Sequence, residues 1–429
     1  VNLPMPAPEV QAMSTMTETV ERPSRRMFLR AGAAATIGGL ATAALGSTAG
    51  ASTPTNVGAA QLQALLDAAG PTCTFPGGVV DLPPDTRLVV RRSVTILGNG
   101  TTLRVRGNAV PTRSLIDADG LPDGSRLEIR NLRIEGPSTA GWDPRTESNA
   151  AAISWQRYRT WNSTMVVRNV TTTGGYGSGV SRAGGGRLEV LDSDLGGWVD
   201  GAAFFESHGG SGSMLLQRTR LTAPTNSKFS SIGLYIHPHL DLVAEDVVGT
   251  AWNRWVVYVN GTPKSTGRHR LSRVTATDCA LVQTGSGSTT VLDRCVEQGT
   301  ARNGGTYLKG PVTATGCTWT GTGTIGVLSG QQAHRSFVDN TIRPSGTWMA
   351  LGSGSAGSIS VQGGRAELNG RATLLKLTPG ATTQVTVDRT AVAARGTGIP
   401  INVEGGRVRV TGVPVPARSR ALRPGVLES

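Results

Sequence analysis

Cysteine, aromatic residues, lysine and charge in general are all scarce in this chain. Its four cysteines, Cys73, Cys279, Cys295 and Cys317, are too few for a disulfide-built scaffold. No C-x-x-C pair is present, which argues against a zinc site. Cys295 and Cys317 take equivalent places one repeat apart, so a buried thiol ladder is the expectation and a bridge between them the alternative. Aromatics are 4% and charged residues 17% of the sequence, which suits a narrow core of Val, Leu, Ile and Ala. After residue 51 no apolar run is long enough to cross a membrane as a helix, which predicts a mature chain without membrane insertion. There is no aromatic–basic interleaving of the RNA-binding type, so nucleic acid is not an expected partner.

What is present is a repeat. From residue 126 a short phrase recurs: RLEIRNLRI, TMVVRNVTT, RLEVLDSDL, SMLLQRTRL, DLVAEDVVG and onward to VTVDRTAVA. Two alternating runs flank a polar or glycine turn, placed at Asn131, Asn169, Asp192, Arg218, Asp246, Arg273, Arg294, Gly316, Asn340, Gly363 and Arg389. The successive spacings are 38, 23, 26, 28, 27, 21, 22, 24, 23 and 26 residues. A period in the twenties signals a solenoid, because one copy cannot bury its apolar face alone. Leu127 and Ile129, Leu188 and Val190, Val385 and Val387 alternate, which is a strand period. With 58 glycines, this predicts an all-β fold, a right-handed parallel β-helix of about a dozen coils. Leu62, Leu65 and Leu66 mark one face of a capping helix at its start. The expected domain runs from residue 55 to 412, and residues 413–429, rich in Pro and Arg, read as a tail.

The first fifty-one residues read as an address. Ser24-Arg25-Arg26-Met27-Phe28-Leu29-Arg30 precedes a weakly apolar stretch and the small-residue site Ala49-Gly50-Ala51. This resembles the bacterial twin-arginine export signal, and the resemblance implies a secreted or periplasmic protein. Removing residues 1–51 takes away four arginines and three glutamates, so 38 basic and 26 acidic residues remain, a net +12. Only four of the 38 are lysine. Arginine suits bidentate recognition of carboxylate or sulfate, so an anionic polysaccharide is the expected partner; solvated surface charge is the competing reading.

The helix, the Pro83-Pro84 turn, Gly98-Asn99-Gly100 and the recurring turn asparagines Asn131, Asn169 and Asn340 resemble the pectate lyase-like superfamily of β-helices. That superfamily stacks asparagines in a ladder, commonly keeps its binding groove halfway along the stack and often uses calcium. The resemblance therefore implies a groove in the middle coils and makes calcium a possible cofactor, with Asp194, Asp200, Glu206 and Asp241 as donors, though no ligand spacing supports it. The superfamily's triple-aspartate hydrolase pattern does not occur, since no adjacent Asp-Asp pair and no Gly-His-Gly are found.

A second strand precedes each repeated phrase: AAISWQ, GSGVSR, AAFFESH, GLYIHPH, WVVYVN, CALVQT, TYLKG, GVLSG and WMALG. With Val180, Leu234, Ile236, Val257 and Val259 inward, alternation sends Ser181, Tyr235, His237, Tyr258 and Asn260 outward. Glu206 and His208 join them if Phe205 is inward. Four of the five histidines, His208, His237, His239 and His269, fall between residues 208 and 269. The longest interruption of the period, Gly136–Ser163, carries Trp142, Trp155, Tyr158 and Trp161 and is the expected wall of a site.

A lyase acting on a uronate needs a cation or amide to neutralise the carboxylate, a base and an acid. Arg254, Asn260, Lys264 and Arg182 are candidates for the first, His237 or His208 for the second, Tyr258 or Tyr235 for the third. Trp155 and Tyr158 are candidate sugar contacts. A neutral imidazole accepts a proton near pH 7 without a strong shift, which makes His237 the first choice of base. A glycosidase would instead use Glu206 with Asp200 or Asp241. Tyr235-Ile236-His237-Pro238-His239 is similar to the Tyr-x-x-Asp-Pro-His motif of β-helix mannuronan C5-epimerases, with Pro238 and His239 in matching places, histidine where the motif has aspartate and the tyrosine one residue nearer the proline. The expected function is a secreted polysaccharide lyase, with hydrolase or epimerase, or a non-catalytic glycan binder, as the alternatives.

Overall fold

The computed structural model describes residues 58–143, 148, 150–156, 162–197, 201–206, 211–222, 232–250, 254–260, 266–299, 305–321, 325–327, 333–422 and 425–429. Short alternating runs bounded by turn residues cannot extend far, so each adds one strand to a stack. Among the described residues, 26 strands form one sheet and 14 strands, one from each coil, form a second. Every pairing is parallel, and together they make a right-handed parallel β-helix, as the repeat predicts. The signal expected over residues 1–51 lies outside the described residues.

Register makes the interior a set of columns. One column of the larger sheet runs Ile96, Ile129, Val167, Val190, Leu216, Ala244, Leu271 and Leu292. All eight are buried. A one-residue slip in any coil would turn its apolar set to solvent, which pins the register.

At the turns the backbone enters the left-handed region, with φ near 50° at Asn131, Asn169, Asp192, Arg218, Asp246, Arg273 and Arg294. A side chain other than Gly, Asn or Asp is disfavoured there. Two of the three arginines pair across the coil, while Arg294 pairs with its chain neighbour Asp293 at 2.9 Å. Arg218 Nε and an Nη donate to Asp192 at 2.5 and 3.1 Å. Arg273 donates likewise to Asp246 at 2.6 and 2.9 Å. Asn169 donates to the Asn131 side chain at 2.7 Å, so that ladder is two asparagines long and then becomes ionic. The turn expected at Asn340 falls instead at Asp339, with φ 52°. Asn340 is the next residue and points inward, donating to the carbonyls of Ala314 and Val338 at 3.0 and 3.1 Å. Asp and Asn are both turn formers, so the pair Asp339-Asn340 left the pattern ambiguous by one residue.

The capping helix spans Ala59–Ala68 and buries Leu62 and Leu66, one turn apart. Leu65 is 41% exposed and not part of that face. Gln63 closes the first strand edge of the smaller sheet, its amide nitrogen donating to the Val89 carbonyl at 3.0 Å and its oxygen accepting from the Val89 amide at 2.8 Å. At the other end, residues 413–429 do more than trail. Arg420–Ala421 pairs with Ile401–Val403, and Val426–Glu428 with Arg407–Thr411, so the expected tail adds a rung to both sheets. Two- and three-residue strands after prolines carry too little alternation to read in advance.

Cys295 and Cys317 are buried, and all four cysteines are free thiols. No described helix is long and apolar enough to cross a membrane.

Candidate functional site

The smaller sheet lines up the strands Ala151–Gln156, Ser178–Ala183, Gly201–Glu206, Ile232–Ile236, Trp255–Val259, Ala280–Gln283 and Tyr307–Leu308. Phe205, Ile236 and Val259 face inward and are fully buried. Their alternation partners therefore face out. In register, one outward column runs Ser154, Ser181, Phe204, Tyr235, Tyr258, Gln283 and Tyr307.

The backbone ladder continues one residue beyond the strands. The His237 amide donates to the Phe205 carbonyl at 3.0 Å and the Asn260 amide to the Ile236 carbonyl at 3.1 Å. Glu206, His237 and Asn260 thus occupy the same place in three successive coils, about 4.8 Å per step. Alternation sets this second polar column directly beside the aromatic one. Ser181, Glu206, Tyr235, His237, Tyr258 and Asn260 take the outward places that the alternation predicts, and His208, expected with them, lies outside the described residues.

The aromatic column is packed tightly. Phe204 stacks on Tyr235 with ring centroids 4.5 Å apart and planes within 10°. Tyr235 stacks on Tyr258 at 5.6 Å. Trp255 lies 5.2 Å from Tyr258 and meets Tyr307 edge-on at 5.9 Å. The Trp255 indole N–H donates to the Gly305 carbonyl at 3.1 Å, and the Arg254 guanidinium sits 5.5 Å over the Trp255 ring. Asn260 Nδ2 donates to the Tyr235 hydroxyl at 2.9 Å. Tyr235 is only 3% and Tyr258 9% exposed. These rings form a second apolar cluster separate from the main core, and Glu206 is 8% exposed, while His237, Asn260 and Arg254 are half-buried. Burial holds the Tyr258 phenol above its ordinary pKa, against smaller opposing effects of a Gln283 hydrogen bond and the Arg254 charge.

The sequence-based candidates divide into three groups. Glu206, Tyr235, His237, Arg254, Tyr258 and Asn260 come together on consecutive coils. His208, Tyr158 and Lys264 lie outside the described residues. Trp155 and Arg182 do not belong to the site, although both were expected to touch substrate. They are neighbours in register, both fully buried, with the guanidinium 4.2 Å from the indole ring. Arg182 donates to the Gly185 carbonyl at 2.8 Å, and burial lowers its pKa to about 10. The same parity that sends Ser181 outward sends Arg182 inward, so the correction was available from the alternation itself. His269 likewise lies in the interior, between Leu242 and Thr290 in register. Of the long insertion, Trp142 lies against Gly175, where an added Cβ would come within 2.4 Å of the ring.

Four members of the patch were not anticipated: Phe204, Trp255, Gln283 and Tyr307. Phe204, Gln283 and Tyr307 fall on the same alternation parity as Tyr235 and Tyr258. Aligning the strands column by column would have found them. As for metal, the rings of His237 and His239 are 6.2 Å apart, and no group of three His, Cys, Asp or Glu comes together among the described residues.

No protein-family model matches the chain, and no curated protein matches it in sequence. Two solved structures are similar in chain course. One is tailspike protein 3 of bacteriophage CBA120, at 12% identity and a TM-score of 0.45, over 85% of this chain and 61% of the tailspike. This chain therefore spans less than two thirds of the tailspike's length. The other is the Streptococcus pneumoniae surface protein and adhesin PfbA, at 8% identity and a TM-score of 0.40, over 86% of this chain and 95% of the adhesin.

Proposed function

We propose that this chain is an exported protein that recognises an acidic polysaccharide on the outer face of the smaller sheet. The observation that carries this reading is the polar column Glu206, His237 and Asn260, running beside the aromatic column with Arg254 at its margin. A saccharide chain laid along the stack would meet one polar group per coil, each about 4.8 Å further on. A fixed guanidinium and an amide are suited to one carboxylate of such a chain.

The finer reading is β-elimination. His237 would remove the proton next to the carboxylate, Asn260 and Arg254 would steady the negative charge that develops, and Tyr258 would protonate the departing oxygen. A phenol whose pKa is raised by burial keeps its proton at neutral pH, which is what an acid in that place requires. A second reading, a non-catalytic binder, draws support from the closure of the aromatic column, since closed rings serve packing.

Incubation with a panel of uronate polymers separates the two. An ultraviolet-absorbing unsaturated product that appears with wild type and is lost a hundredfold in a folded His237→Ala variant supports elimination. New reducing ends without that product point to hydrolysis by Glu206 and a partner carboxylate. Affinity without any product identifies a binder, and neither affinity nor product on any acidic polymer removes the proposal.

A further inference from the structure

Near the far end of the larger sheet the outer face carries a depression of about 450 Å³, lined by Arg365, Glu367, Asn369, Ala391, Ala393 and Arg395. It arises from a step in side-chain size along two outward columns. One column runs Thr275, Val296, Thr318, Thr341 and Arg365, then drops to Ala391. In the neighbouring column Glu367 is followed by Ala393. Two methyl groups thus form a floor where the preceding coil raises long polar side chains, and Arg395 stands opposite Asn369 in register at one end.

The charges around this floor are unbalanced. Arg343, one coil back, engages Glu367 with two donors, both at 3.0 Å. Arg365 reaches the same carboxylate only loosely, at 3.6 Å. Arg395 is exposed and makes no hydrogen bond or ion pair among the described residues. Three guanidiniums therefore surround one carboxylate, a net of two positive charges. Arg343 above all, with Arg365 and Arg395, holds Glu367 below its usual pKa, so that carboxylate remains ionised at neutral pH.

We propose that this depression binds one acidic sugar unit, its carboxylate or sulfate held between Arg365 and Arg395 and its ring lying on Ala391 and Ala393. Two forked guanidiniums with spare donors match an oxyanion bidentately. The methyl floor suits the apolar face of a pyranose. Asn369 and the ionised Glu367 offer a donor and an acceptor to flanking hydroxyls. The same Glu367 repels a multiply charged phosphate, which favours a singly charged, hydroxyl-bearing ligand. The site lies on the other sheet from the Glu206–His237–Asn260 column and stands whether or not that column binds glycan.

Calorimetric titration of the full chain with trigalacturonate, a sulfated galactose trimer and neutral galactotriose tests the inference. At least one acidic trimer should bind while the neutral one does not, and which of the two binds more tightly identifies the anion. Arg395→Ala should weaken that binding tenfold or more, and Arg365→Ala comparably. Arg409→Ala, an exposed arginine on another column, should change it less than twofold. If Arg395→Ala weakens binding no more than Arg409→Ala does, only diffuse positive charge is at work and the inference falls. It falls also if the neutral trimer binds as well as the acidic ones, or if no acidic trimer binds. Binding lost in His237→Ala but retained in Arg395→Ala would place the ligand on the smaller sheet, overturning this site while leaving the other reading intact.

Discussion

Between Gly201 and Gln283 the aromatic column on the outer face of the smaller sheet is closed: Phe204, Tyr235, Trp255 and Tyr258 are each at most 9% exposed, while His237, Asn260 and Arg254 beside them are half-buried. Between Thr341 and Gly396 the outer face of the larger sheet is open, with arginines standing around two alanines. Both regions rest on the same kind of interior column and the same left-handed turn. The difference is therefore in what the outward columns carry, and the solenoid tolerates either. Large rings stacked at coil spacing shut out water and act as core. Long charged side chains beside small ones leave a recess that water, or a ligand, occupies. The rings of the first region are expected to show their mutations in stability, whereas its half-buried His237 and Asn260, like the arginines of the second region, show theirs in ligand handling.

The largest test of that contrast is Tyr235→Ala. The ring is sandwiched between Phe204 and Tyr258, and its removal should cost about 3–5 kcal/mol, as for an interior aromatic. Denaturant unfolding measures it. A cost under about 1 kcal/mol would show that the aromatic column is not a core and would make the rings themselves sugar contacts beside His237 and Asn260.

His269 supplies the next effect, through pH. It is 2% exposed, its Nε2 lies 3.1 Å from the Leu240 carbonyl, and burial pulls its pKa down to about 4. The unfolded chain binds the imidazole proton below about 6.5, the folded chain only below about 4, so the unfolded state holds more protons between these values. Stability should therefore fall as pH drops through that window, by about 3 kcal/mol in all. His269→Leu should flatten this part of the stability–pH curve, whatever it does to stability at pH 8. An unchanged slope would assign the acid sensitivity to other groups.

A smaller step within the closed region is Tyr235→Phe. It keeps the stacking and removes the hydroxyl that accepts from Asn260. About 1 kcal/mol is expected, because Asn260 is half-buried and recovers a water partner. A loss near that of Tyr235→Ala would mean that the hydrogen bond, not the ring, holds the column.

How much of this was legible in advance follows from what alternation records. Parity and period place Val180, Leu234, Ile236 and Val257 in the interior and Tyr235, His237, Tyr258 and Asn260 outside, because a parallel stack repeats each choice coil after coil. Parity does not record what covers an outward residue. Tyr235 and Tyr258 face out and are nonetheless buried, by each other and by Phe204 and Trp255. Nor does residue chemistry override parity, which is why Arg182, attractive as a carboxylate partner, is in the interior on Trp155. The recess by Arg395 was missed for a related reason. It depends on Ala391 and Ala393 being small beside Arg365 and Glu367, a relation across coils that no single phrase of the repeat contains.

The smallest expected effect on stability is also the sharpest on the comparison. Arg365 and Arg395 project from the outer face, their backbones held by strands whose interior partners, Ala366 and Val392, do the packing. Exposed ion pairs contribute little, and Arg365 holds Glu367 only at 3.6 Å while Arg343 keeps its two-donor contact. Replacing both arginines with alanine should thus leave the denaturation midpoint unchanged within error while abolishing the binding of an acidic trimer. Removing the two arginines relieves repulsion among like charges but also loses two attractions to Glu367, so any residual shift should be small and should vanish as salt is raised. A clear loss of stability would mean that the arginines brace the last coils, and the open region would then be structural like the closed one.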